Sequence, residues 1–145
     1  MGTGRAFGRA AMGAAAGAAA LLLAACSVDG DLAAADAAVA GFHADLDRGA
    51  FAQIYNAASP EMKAVTNGPD LVRLLALVHA RLGTFKRGAR IGWNDSRTTS
   101  GHFVNLNYRA AYEKGAAEES FVFRLDGGRA ALAGYHIDSP AFTAR

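Results

Sequence analysis

At Leu82-Gly83 the spacing of apolar residues changes, and that change constrains the fold more than any other feature of the chain. Before it, large apolar residues recur three and four apart, the period of one helix face; after it they alternate, the period of a strand. Ala35, Val39, Phe42 and Leu46 make one helical stripe that Gly49 ends, and a short second helix carries Phe51, Ile54 and Tyr55. Ser59-Pro60-Glu61 reads as an N-cap followed by proline at the first helical position. Asn67-Gly68-Pro69-Asp70 starts a further helix, whose stripe of Leu71, Leu74, Leu75, Val78 and Leu82 stops at Gly83.

Beyond Gly83, Phe85, Arg87, Ala89, Ile91 and Trp93 are expected on one face of a first strand. In a second, Val104, Leu106, Tyr108, Ala110 and Tyr112 alternate with Phe103, Asn105, Asn107 and Arg109. Phe121, Phe123 and Leu125 share a face of a third. Asp126-Gly127-Gly128 marks a tight hairpin leading to a fourth, lined by Ala131, Ala133, Tyr135 and Ile137. Tyr108, Tyr112, Phe121, Phe123 and Trp93 alternate as core residues should. Helices segregated ahead of a meander predict an α+β fold, with the N-terminal helices packed on one face of a curved four-stranded antiparallel sheet. Without a repeat or a linker, residues 32–145 read as a single domain.

This order of elements, closing with Gly134-Tyr135-His136-Ile137-Asp138-Ser139, resembles small bacterial proteins of the cystatin/NTF2-like superfold. The run Tyr108-Arg109 and the final glycine-tyrosine-x-isoleucine strand are similar to those of uncharacterised exported domains, over Ala33 to Ser139. The resemblance is architectural, and a fold that hosts enzymes, binding modules and adaptors does not set an activity. The cystatin inhibitory loop, glutamine-x-valine-x-glycine, is absent, since Gln53 is followed by Ile54-Tyr55-Asn56-Ala57.

The N-terminal segment carries a second resemblance. Arg5 and Arg9 precede an uncharged stretch from Ala10 to Ala25, and Leu23-Ala24-Ala25-Cys26 resembles the lipobox of bacterial lipoproteins: an aliphatic residue, two small ones and an obligatory cysteine. It implies a signal peptide at 1–25, lipid of the palmitate type on Cys26, and a polar tether at 26–31. One acyl chain holds a protein only marginally, whereas two or three hold it firmly. A membrane-spanning helix requires about 20 apolar residues, longer than this alanine-rich stretch. N-myristoylation requires Ser or Thr where Ala6 stands. Ser27 after the cysteine implies, within the lipoprotein family, an outer-membrane location facing the periplasm.

The formal charge of +2 rests on that segment, because Arg5 and Arg9 are two of fifteen basic residues and the other thirteen balance the thirteen acidic ones. A near-neutral mature chain is no nucleic-acid binder. The single cysteine forms no internal disulfide. Charge is uneven along the chain: Asp29, Asp31, Asp36, Asp45 and Asp47 crowd the first helical region, and Arg81, Lys86, Arg87, Arg90 and Arg97 follow later. Arg81, Lys86, Arg87 and Arg90 form the candidate partner face, against a solvated surface as the plainer reading.

No nucleophile elbow, paired-cysteine zinc pattern, phosphate-cradling glycine loop or calcium loop occurs, so no catalytic, cofactor-binding or metal-binding residue is assigned. His43 and Asp47 lie one helical turn apart and read as a surface pair. His79 reads as a boundary residue and His102 as an exposed strand residue. His136 and Asp138 point the same way on a strand, where the carboxylate could make the imidazole a general base, with Tyr108 and Tyr112 as further pocket candidates. The plainer reading puts His136 and Asp138 on the outer face. The favoured function is a lipid-anchored periplasmic binding or accessory domain with an envelope protein as partner, in a form that could also dimerise. The alternative is a small NTF2-like enzyme acting on an apolar substrate by acid–base chemistry.

Overall fold

The helices stop where the chain places residues that cannot continue them. Gly49 (φ 72°) follows α1, Ala19–Asp47, and Gly83 (φ 71°) follows α4, Gly68–Leu82; both have the positive φ that glycine reaches without penalty. Between them lie α2, Phe51–Ala57, and α3, Pro60–Val65. The side chain of Asn67 caps α4 by accepting the Asp70 N–H at 2.9 Å. Ser59 occupies the N-cap position of α3 but makes no side-chain cap bond. The computed structural model describes residues 19–144, with side chains from Val28 onward. Arg5, Arg9 and the side chains of Leu23, Ala24, Ala25 and Cys26 lie outside the described residues.

After Gly83 the chain forms an antiparallel meander: β1, Phe85–Thr98; β2, Gly101–Tyr112; β3, Gly115–Asp126; and β4, Arg129–Asp138. A 3-10 turn, Pro140–Phe142, follows. Each hairpin closes in two residues, between the pairs Thr98 and Gly101, Tyr112 and Gly115, and Asp126 and Arg129. In the last, Gly127 and Gly128 have φ of 56° and 77°, the turn whose twist matches that of the flanking strands. The sheet is open and curved, with the helices N-terminal to it, and the expected α+β arrangement is the one the chain adopts.

α1 touches all four strands. Its buried face is Leu32, Ala35, Val39, Phe42, His43 and Leu46, and the alanine lets the helix come close to the sheet. Beneath it Phe42 meets Phe121 edge to face, ring centres 5.2 Å apart, and Phe121 stacks on Phe123 at 5.9 Å. Leu71, Leu75, Val78 and Leu82 of α4 complete the core. Burying each such side chain stabilises the fold by about 1.5–3 kcal/mol.

Four details depart from the expected pattern. α1 is longer than its apolar stripe, and residues 26–31, expected as a tether, continue the helix. In β1 the register shifts between Phe85 and Arg87 and again between Arg90 and Gly92, so the expected single face is broken. Each bulge adds one residue and reverses the alternation. The second bulge leaves Ile91 without a partner across the ladder, 51% exposed; Trp93 returns to the phase of Phe85, opposite Leu106, yet is also 51% exposed and is not a core residue. In β4 a shift opposite Val122 and Phe123 has the same effect: Leu132 is the buried residue there, Ala131 pairs with Arg124 out of phase with Tyr135, and Ala133 has no partner across the ladder.

Candidate functional site

Strand alternation turns Ala117, Glu119, Phe121, Phe123 and Leu125 of β3 toward the helices, so a carboxylate occupies a position whose neighbours are apolar. Glu119 is 1% exposed. An ion stripped of water at such a place costs several kcal/mol unless it is paired and hydrogen-bonded. Here three groups approach it. The hydroxyls of Tyr112 and Tyr135 both donate to Oε1 at 2.8 Å, and Nε2 of His43 lies 2.8 Å from Oε2. An ionised carboxylate only accepts, so His43 then carries its proton on Nε2.

The surrounding side chains hold this cluster in place. The His43 ring stacks on Phe85 with centres 3.8 Å apart and planes 6° from parallel. Phe42, Tyr112 and Phe121 meet the same ring edge-on. The Phe85 N–H donates to Oδ1 of Asp47 at 2.9 Å, fixing the stacking partner from the end of α1. Burial, reinforced by the Glu119 charge, pushes the Tyr112 and Tyr135 hydroxyls well above the usual tyrosine range. Both stay neutral donors at physiological pH.

A shorter relay lies alongside. The Tyr108 hydroxyl donates to Asp36 of α1, whose other oxygen is 2.8 Å from Nη1 of Arg90. Burial, then the hydrogen bond to Asp36, raises the Tyr108 pKa, and the Arg90 charge partly offsets this. Together the two clusters bind α1 to β1, β2, β3 and β4 through polar contacts, the Glu119 set inside the apolar layer and the Asp36–Arg90 pair at its solvent edge. Such a set can hold protons, but Glu119 and His43 are almost fully enclosed. Among the described residues, surface concavities of about 450, 480, 200 and 410 Å³ are lined by residues other than Glu119 and His43.

Of the pocket candidates, Tyr108 and Tyr112 meet α1 as described. His136 and Asp138 are exposed and do not join them; His136 pairs across the ladder with Ser120, one residue out of phase with Glu119. Among the basic candidates, Arg90 is committed to Asp36, and Nη1 of Arg81 lies 3.5 Å from the Ala144 carbonyl. Lys86 and Arg87 are exposed on β1.

The surface pair expected of His43 and Asp47 does not form: His43 is 3% exposed and faces the sheet. His102 is not an exposed strand residue, since it is half-buried beside Asp95 at 2.9 Å. Glu119 escaped the sequence reading, although its phase with Phe121, Phe123 and Leu125 was the available signal.

The chain matches no protein-family model, and no curated protein matches it significantly. No helix among the described residues is long and apolar enough to cross a membrane.

Proposed function

We propose that the chain is a lipid-anchored binding domain of the bacterial cell envelope, held through Cys26 and working by surface contact rather than by catalysis. The observation that carries the reading is the division between inside and outside. The side chains best suited to proton transfer, His43, Tyr112, Glu119 and Tyr135, are consumed in holding α1 to the sheet. Outside, Ile91 stands exposed on edge strand β1. A shallow concavity of about 410 Å³ there is lined by Arg87, Gly88, Ala89, Ile91, Arg109 and Ala111, among others. Apolar floor and arginine rim suit an envelope protein that presents an acidic, partly apolar segment. The lipobox-like run places the anchor, and Ser27 favours the periplasmic face of the outer membrane.

Two measurements test this. Cys26→Ser should move the protein from the membrane fraction to the soluble one; a variant that still sediments with membranes removes the anchor. A photo-crosslinker in place of Ile91, which lines the concavity, should give one discrete adduct with an envelope protein, lost when Arg87→Glu is added. An adduct indifferent to Arg87→Glu, or with a second copy of this chain, removes the acidic partner.

A further inference from the structure

We propose that Asp31, Asp95 and His102 form a binding site for a divalent transition ion of the zinc type. One ligand atom from each residue lies within 4.8 Å of the other two. Nε2 of His102 is 2.9 Å from Oδ1 of Asp95 and 3.7 Å from Oδ2 of Asp31. A tetrahedral zinc ion, with bonds of about 2.0–2.1 Å, sets its ligands about 3.4 Å apart, and the two measured separations bracket that value. The three side chains come from α1, β1 and β2 and are only 13–15% exposed, so they are partly desolvated and held by three different elements.

A second observation points the same way. Oδ2 of Asp95 is buried and has no hydrogen-bond partner. A carboxylate oxygen left so is costly, and coordination or a metal-bound water would satisfy it. The donor set, one imidazole and two carboxylates, favours zinc over the hard cations magnesium and calcium, which take oxygen ligands. It leaves a fourth position for water.

Arg97 decides how to test the site. Its Nη2 lies 2.8 Å from Oδ2 of Asp31, and its side chain is 58% exposed. It lends positive charge to the Asp31 carboxylate and can swing out, so it competes with the ion for the same oxygen. Removing a ligand and removing Arg97 should therefore act in opposite directions. A cluster that is only an ion-pair network predicts no saturable metal binding in any variant.

The experiment is calorimetric titration of Zn²⁺ into the purified full chain, stripped with chelator, with circular dichroism to check that each variant is folded. One ion per chain is expected. Altering the neighbours of a metal ligand already costs 10–100-fold in affinity, so His102→Ala and Asp95→Asn should each weaken binding by more than about tenfold. Arg97→Gln should tighten it. Absence of saturable binding to the unaltered chain overturns the site, as does affinity unchanged by His102→Ala and Asp95→Asn, or weaker binding in Arg97→Gln.

Discussion

Nε2 of His43 on α1 lies 2.8 Å from Oε2 of Glu119 on β3, a contact that spans 76 positions of sequence. It joins the helical layer to the sheet through two polar side chains that are 3% and 1% exposed. Breaking a buried pair by deleting one partner costs about 3–5 kcal/mol, so Glu119→Ala should lower stability by that amount in urea denaturation. His43→Ala should cost less in the Glu119→Ala background than in the unaltered chain, because its partner is already gone. Equal costs in the two backgrounds would show that the pair is not coupled.

The tyrosines bound to Glu119 make alkaline stability diagnostic. Their folded pKa values lie above the ordinary value of 10.0, so the unfolded chain releases protons that the folded chain retains. Their contribution is complete below pH 10 and is lost as pH rises beyond it. Tyr112→Phe should cost about 1.5–3 kcal/mol at neutral pH, the value of a hydrogen bond to a charged group. It should also flatten the fall in stability above pH 10, followed by guanidinium denaturation across a pH series. A fall as steep as in the unaltered chain would contradict the assignment.

Gly49 and Gly83 both have positive φ but differ in surroundings. A Cβ at Gly49 meets nothing within 4 Å, whereas one at Gly83 would lie 2.9 Å from Oε2 and 3.1 Å from Cβ of Glu113. Gly49→Ala should cost about 1–2 kcal/mol for the backbone alone. Gly83→Ala should cost distinctly more, and thermal denaturation of the two variants side by side decides it.

Trp93 is the single tryptophan and half its surface faces solvent. Its fluorescence should be solvent-like and accessible to an aqueous quencher, and Trp93→Ala should alter stability by no more than about 0.5 kcal/mol. A blue-shifted, quencher-resistant emission in the isolated protein would place the ring in a packed environment instead.

The fold class was legible because it depends on periods. The stripe of Leu71, Leu75, Val78 and Leu82, and the alternation from Val104 to Tyr112, each persist long enough to indicate both element and face. Bulges were not legible. One added residue at Ile91 or Ala133 reverses which side chains are covered, and neither position carries a composition that marks it. The candidate sites were less legible still. Glu119 and His43 are separated by the whole helical region and most of the sheet, and local pattern says nothing about which buried helix position will face which strand. Asp31, Asp95 and His102 come from three elements in the same way, so no spacing in the chain announces them.

Because the helices come first and the sheet that covers them comes last, the order of synthesis matters. A growing chain that has reached Gly83 holds Val39, Phe42, Leu46, Leu75 and Val78 with none of β1–β4 yet made to bury them. Glu119, which neutralises the polar demand of His43 in the finished protein, is made later still. The half-made chain thus keeps that apolar face uncovered until the last two strands arrive.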